Sequence, residues 1–231
     1  MKNRPTGDFR ESSLSRPPPP GAHPYDPSHP ALVAALASLT IGTAHAQTCT
    51  DPHYRWTVKT TLALQGAAST AATPSAMLNW TPLDLYRPAV GVHDCTPRAD
   101  RELTVYAVTG WARSWHIENG PKGDLDWHIE LTQSAKTTSS KCVVVEIPDP
   151  QYGTIFVTAR QDFLDLIVNS KINTSKQIVP PVRVTVVGPA FFDAQHRGAK
   201  GSGKPPSKHG NCNASDSALW EIHPVYEVRH P

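Results

Sequence analysis

Gly123-Asp124-Leu125-Asp126-Trp127-His128-Ile129-Glu130-Leu131 alternates without interruption between apolar and ionisable side chains. Successive side chains of a strand point to opposite faces, so a period of two predicts a β-strand over residues 124–132. One face carries Leu125, Trp127, Ile129 and Leu131; the other carries two aspartates, a histidine and a glutamate. The simplest reading of the second face is contact with water, because a half-buried strand needs polar residues outside. The sharper reading is a cation site or an acid–base pair, since Asp126, His128 and Glu130 share that face.

The neighbouring segments are also strand-like. Glu102 to Trp115 is a long β-prone run whose Gly110 predicts a bulge or bend. Asn119-Gly120-Pro121-Lys122-Gly123 is a turn that would make the two runs a hairpin. Cys142 to Ile147 is a third strand, stopped by Pro148 and Pro150. Ala159 to Asn169 reads as a helix, with Phe163, Leu164, Ile167 and Val168 on one side and Asp162 and Asp165 on the other. Pro180-Pro181 closes that connection. Val182 to Val187 is a fourth strand running into Gly188 and Phe191-Phe192. Residues 194–218 form a glycine-, lysine- and proline-rich loop, and Trp220 to Val228 is the last strand.

The order strand, strand, strand, helix, strand, strand predicts a mainly β fold, an OB-like five-stranded Greek-key barrel with one helix between strands three and four. Such barrels bind ligands on the outer face of strands two and three and through loops L12 and L45, here residues 116–123 and 193–218. A β-sandwich with an incidental helix is the alternative. Upstream, Tyr54 to Leu62 reads as a strand by its β-branched and aromatic content, and residues 65–88 read mostly as loop. Residues 47–100 would thus pack as a strand and loops on a barrel formed by 101–231.

Residues 1–30 are polar and proline-rich, a leader with too little apolar surface to fold. A start assigned too far upstream would also produce it. Ala31 to Gly42 is an apolar run, too short for a membrane span of about 20 residues. It ends in Ala44-His45-Ala46, so residues 31–46 read as a signal peptide cleaved before Gln47. The expected destination is the periplasm or the extracellular space. Cys49, Cys95, Cys142 and Cys212 then form an even set in an oxidising compartment, for which three pairings exist; Cys49–Cys95 with Cys142–Cys212 is the favoured one. The chain of 231 residues has a formal net charge of +2. A tightly held polyanion would call for far more positive charge, so there is no strong nucleic-acid signature. The oligomeric state is not encoded in any pattern here.

Beyond the strand at 124–132, Glu221 and His223 share one face of the last strand. Glu146 sits among valines on the third, and Asp193 and His196 follow the fourth. Each alone reads as a cap or a hydrogen-bonded histidine, whereas convergence would make a site. Mixed carboxylate and imidazole donors suit zinc or manganese. Asp126, His128 and His223 are the candidate ligands. Glu146 and Glu221 are the candidate bases, and Asp124, Asp193 and His196 are further candidates. Gly198 to Lys204 nearly spells a phosphate-binding loop, but Pro205 replaces the required Ser or Thr. The loop is basic, and Arg197, Lys200 and Lys204 are candidate contacts for a small or oligomeric anionic ligand, with Trp127 beside them.

Asp124-x-Asp126-x-His128, Val145-Glu146-Ile147-Pro148, Phe191-Phe192-Asp193-x-x-His196 and Glu221-Ile222-His223-Pro224-Val225, together with Arg55-Trp56-Thr57-Val58-Lys59-Thr60, resemble the motifs of a family of small, functionally uncharacterised bacterial proteins. The resemblance spans about residues 54–228 and implies a common fold and a shared polar cluster without an activity. Gly123-Asp124 and Glu146-Ile147-Pro148 are also loosely similar to thermonuclease-like OB barrels. This chain departs from them in having no arginine near Glu146, where a phosphoryl transition state needs a cation; Arg183 and Arg197 are the substitutes. The expectation is a metal-dependent hydrolase of a phosphodiester or similar anionic substrate. The alternatives are a non-catalytic module binding oligosaccharide, peptide or nucleotide, with Trp111, Trp115 and Trp127 as stacking surfaces, and a purely structural exported domain.

Overall fold

A mainly β protein with one eight-stranded sheet emerges, as the alternation predicts. The computed structural model describes residues 49–51, 53–118, 124–137 and 140–231. The leader, the signal segment and the turn at 119–123 lie outside the described residues. The strands are β1 (Ser69–Ala72), β2 (Val105–Ile117), β3 (Trp127–Thr132), β4 (Cys142–Ile147), β5 (Lys171–Ile172), β6 (Gln177–Phe192), β7 (Trp220–Ile222) and β8 (Glu227–Arg229). The α-helices are α1 (Trp56–Thr60), α2 (Pro74–Met77) and α3 (Thr154–Ile167).

β2 pairs antiparallel with β3, and β3 with β4. β4 pairs parallel with β7, β7 antiparallel with β6, and β6 antiparallel with β2. Hydrogen-bonded neighbours therefore lead from β2 through β3, β4, β7 and β6 back to β2. β1 joins β2 in parallel, while β5 and β8 each join β6. The core lies between this sheet and α3, whose Phe156, Ala159, Phe163 and Ile167 recur at helical spacing and are buried. They meet Trp127, Ile129 and Leu131 of β3 and Val143, Val145 and Ile147 of β4 in one apolar cluster.

Local departures from the expected elements have identifiable causes. Tyr54 to Leu62 contains the short helix α1 instead of a strand. The Asp51 carboxylate accepts from the Thr57 backbone N–H at 2.9 Å and from its hydroxyl at 2.6 Å, supplying negative charge at the start of the helix. The register shift in β2 falls between Ala112 and Ser114 rather than at Gly110. Gly110 instead permits close packing, since a Cβ there would stand 2.9 Å from Pro74 Cγ. Pro180-Pro181 lies within β6, which extends back to Gln177 to pair with β5. The last strand divides into β7 and β8 at His223-Pro224, because proline has no N–H for the ladder. Gly188 of β6 accommodates that break: a Cβ there would meet the Pro224 carbonyl.

The four cysteines pair as Cys49–Cys95 and Cys142–Cys212. Two disulfides fit an exported protein. Among the described residues, no helix is long and apolar enough to cross a membrane.

Candidate metal centre

Strand alternation and pairing together bring the ionisable side chains of three strands to one side of the sheet. His128 of β3 is the register partner of Glu146 of β4. Glu221 of β7 is the register partner of Val144, two residues from Glu146 and so on the same face. The face is not solvated. His128 is 2% exposed, Glu130 1%, Glu146 4% and Glu221 0%. Water contact fails as an account of this face because two segments distant in sequence cover it.

The first cover is α1, which brings Lys59 over the face. Its Nζ stands 3.7 Å from Glu146 Oε2 and 4.0 Å from Asp193 Oδ2. The second is the segment after β6, which the Cys142–Cys212 disulfide ties down onto β4. There the Asn211 N–H donates to Glu130 Oε1 at 2.6 Å. Gly210 adopts a left-handed φ of +59°, and a Cβ on it would come within 2.6 Å of both Glu130 Oε1 and His128 Nε2. Only glycine lets the chain pass this close. His209 is consequently buried, with Nε2 3.4 Å from Glu221 Oε2 and 3.9 Å from Asp193 Oδ2, and its ring stacks on His196.

Below these residues the cluster is fully enclosed. Glu146 joins its two halves: His128 Nδ1 is 3.0 Å from Oε1, and His223 Nδ1 is 2.9 Å from Oε2. His223 Nδ1 also meets Glu221 Oε1 at 3.1 Å. On the far side of the same ring, Nε2 is 3.0 Å from Asp126 Oδ2, yet the pair lacks hydrogen-bond alignment and neither atom has another partner. His128 Nε2, Glu130 Oε2, His209 Nδ1 and Glu221 Oε2 are likewise buried without a hydrogen bond. A cavity of about 180 Å³, lined in part by Lys59, His128, Glu146, Asp193 and His209, opens above. Asp124 and His196 also line it, and Asp193 Oδ1 caps the turn at 194–196 through the Gln195 N–H.

Electrostatics divides these groups. Burial opposes the charge of Lys59, but Glu146, Asp193 and Glu221 outweigh it and hold the ammonium well above its ordinary range. Burial likewise opposes ionisation of Glu146, and Lys59, His128 and His223 overcome it, so this carboxyl stays well below the usual value. Glu221 is pushed up to about 7 by burial and by the neighbouring Glu146 charge. Burial drives His209 down to about 3, leaving its imidazole neutral and able to ligate.

Several groups of these side chains could hold a metal ion: Asp126, Glu146 and His223; His128, Glu146 and His209; Asp193, His196 and His209; and His116, Glu118 and His128. Glu130 also lies near Cys142 and Cys212, but those sulfurs are joined in a disulfide and offer no thiolate. The residues singled out by sequence as ligands and bases thus come together, with Asp126, Glu221 and His223 deepest. The anticipated substrate contacts lie elsewhere. Arg197 donates to the Leu83 and Leu85 carbonyls and pairs with Asp216 at 2.9 Å. Lys200 pairs with Asp84 at the surface, and Lys204 is exposed. Trp127 packs against Trp115 and Phe163 in the core, on the opposite side of β3 from His128. Lys59, and not Arg183 or Arg197, is the cation beside Glu146. Sequence reasoning also missed His209, whose one signal was its position three residues before Cys212.

Because the disulfide holds His209 in place, Cys142→Ser/Cys212→Ser should both destabilise the fold and weaken the site. Opening a cross-link across 70 residues should cost about 3 kcal/mol in urea unfolding. Zinc affinity, measured by calorimetry in parallel, should fall; an unchanged affinity would mean that the covering segment contributes no ligand.

No protein-family model matches the chain, and neither a curated protein nor a solved structure matches it.

Proposed function

We propose that the chain is an exported OB-like barrel, periplasmic or extracellular, that holds a divalent ion, zinc or manganese, and hydrolyses a phosphodiester or similar anionic ester. The barrel reading rests on the pairing path that returns to β2, on the parallel β4–β7 pair and on α3 lying between β4 and β6. One observation carries the metal: Asp126, His128, Glu146 and His223 converge in a buried cluster in which donor atoms of three of them lack hydrogen-bond partners.

In this reading those four side chains would hold the ion, which would supply an acidified water and a Lewis acid for the substrate oxygen. Glu221, pushed up to about 7, is suited to accept the proton of that water near neutral pH. Glu221 would then return that proton to the ester oxygen that departs when the P–O bond breaks. Lys59 lines the cavity and offers a cation to the non-bridging oxygens, the place for which the thermonuclease-like pattern uses arginine. The cavity of about 180 Å³ suits a phosphoryl group with little else enclosed.

Chelator-treated protein titrated calorimetrically with Zn²⁺ and with Mn²⁺ tests the reading. Binding with micromolar or tighter affinity, and metal-dependent hydrolysis of bis(p-nitrophenyl) phosphate, are expected. Absence of binding heat for both ions at several temperatures would remove the metal and the mechanism with it.

A further inference from the structure

The cluster gathers five buried carboxylates and three buried histidines, His128, His209 and His223. Asp126, Glu130, Glu146, Asp193 and Glu221 are all buried, and each is at most 4% exposed. Among the described residues, Lys59 is the only lysine or arginine forming an ion pair with any of them. Burying so many carboxylates is costly unless cations lie among them.

Geometry divides the donors into two groups. Asp126, Glu146 and His223 form one group and His128, Glu146 and His209 a second, each with ligating atoms within 4.8 Å of one another. Glu146 belongs to both, and its two oxygens diverge, Oε1 towards His128 and Oε2 towards His223. Each half has buried donor atoms with no hydrogen bond: Asp126 Oδ2 and His223 Nε2 in one, His128 Nε2 and His209 Nδ1 in the other. The 3.0 Å separation of Asp126 Oδ2 from His223 Nε2 is close to the roughly 3.3 Å between two ligands of one tetrahedral zinc at 2.0–2.1 Å.

We infer that the site is binuclear, with Glu146 bridging an inner ion held by Asp126 and His223 and an outer ion held by His128 and His209. This rests on the metal reading above and extends it to two-metal phosphoester chemistry. In such sites, ions 3.5–4 Å apart stabilise both the attacking and the leaving oxygen. The outer ion faces the cavity and is the one a substrate meets first, because His128 and His209 line the cavity and Asp126 and His223 do not.

The test is stoichiometry on the full mature chain, stripped with chelator, loaded with Mn²⁺ and counted by elemental analysis after dialysis. Two equivalents are expected for the wild type and one for His209→Ala, whose site lies on the covering segment and whose fold is checked by circular dichroism. Asp126→Asn, a near-isosteric change, should also bind one. Electron paramagnetic resonance of the loaded wild type should show exchange-coupled manganese. One equivalent in the wild type, unaltered by His209→Ala, would overturn the bridged pair and leave the single-metal reading intact. Two equivalents with the six-line spectrum of isolated ions would overturn the bridge. No bound manganese or zinc at all would overturn both readings.

Discussion

Glu146→Ala should eliminate metal-dependent hydrolysis, lowering kcat/KM on the order of a thousandfold or more. This is the largest functional effect expected of any single substitution. The reason is position: Glu146 is the register partner of His128, contacts His223 from the other oxygen and lies beside Lys59. Its loss removes a ligand and leaves three nitrogen groups facing each other in a buried space, so the metal-free fold should weaken by about 3 kcal/mol. Glu146→Gln separates the two effects, since the amide fills the volume without restoring the charge.

The pH dependence of that stability difference has a definite sign. Lys59, His128 and His223 overcome burial and depress the folded-state value of Glu146 well below 4.5. A depressed carboxyl contributes stability that is complete above its unfolded value and disappears as pH falls through its folded value. The gap between chelator-treated wild type and Glu146→Gln should therefore narrow in acid, as Glu146 takes up its proton. Urea unfolding at a series of pH values reads this directly; a gap that widens as pH falls below about 4 would contradict the assignment.

The second large effect is structural. Glu102→Ala should cost about 4 kcal/mol in urea unfolding, the loss expected when one partner of a buried ion pair is removed. Arg55 and Glu102 are fully enclosed and doubly bonded at 2.8 Å. Arg55 also donates to the Thr96 and Pro97 carbonyls, and Glu102 accepts from the Phe192 and Ala99 N–H groups. Removing Glu102 strands a guanidinium and two N–H donors. The consequence reaches the site, because Arg55 immediately precedes the helix that carries Lys59. Substrate KM should therefore rise in a Glu102→Ala protein that still folds. A loss below 1 kcal/mol would mean that the pair fixes position without supporting stability.

What could be read in advance from the chain follows from the range of each physical signal. Strand alternation is local, so residues 127–132 and 142–147 could be recognised as strands, and the face shared by His128 and Glu130 with them. Hydrophobic spacing likewise located α3, although Asp149 and the turn at 150–152 start it five residues earlier than periodicity suggested. Alternation carries no information about what lies over a polar face. The buried state of His128 and Glu146 depends on α1 and on the segment through His209, both far away in sequence. Lys59 was hidden because β-branched residues around it imitate a strand, whereas the Asp51 cap and the Arg55–Glu102 pair select a helix. His209 was hidden because glycine, lysine and proline set no period, and the disulfide and Gly210 position it instead.

Crystals grown with zinc, measured on both sides of the zinc absorption edge, would locate the ion itself. Anomalous density is expected among Asp126, His128, Glu146 and His223, with ligand distances of about 2.0–2.2 Å. Density confined to surface groups, with those four side chains still in contact only with one another and Lys59, would contradict the metal reading.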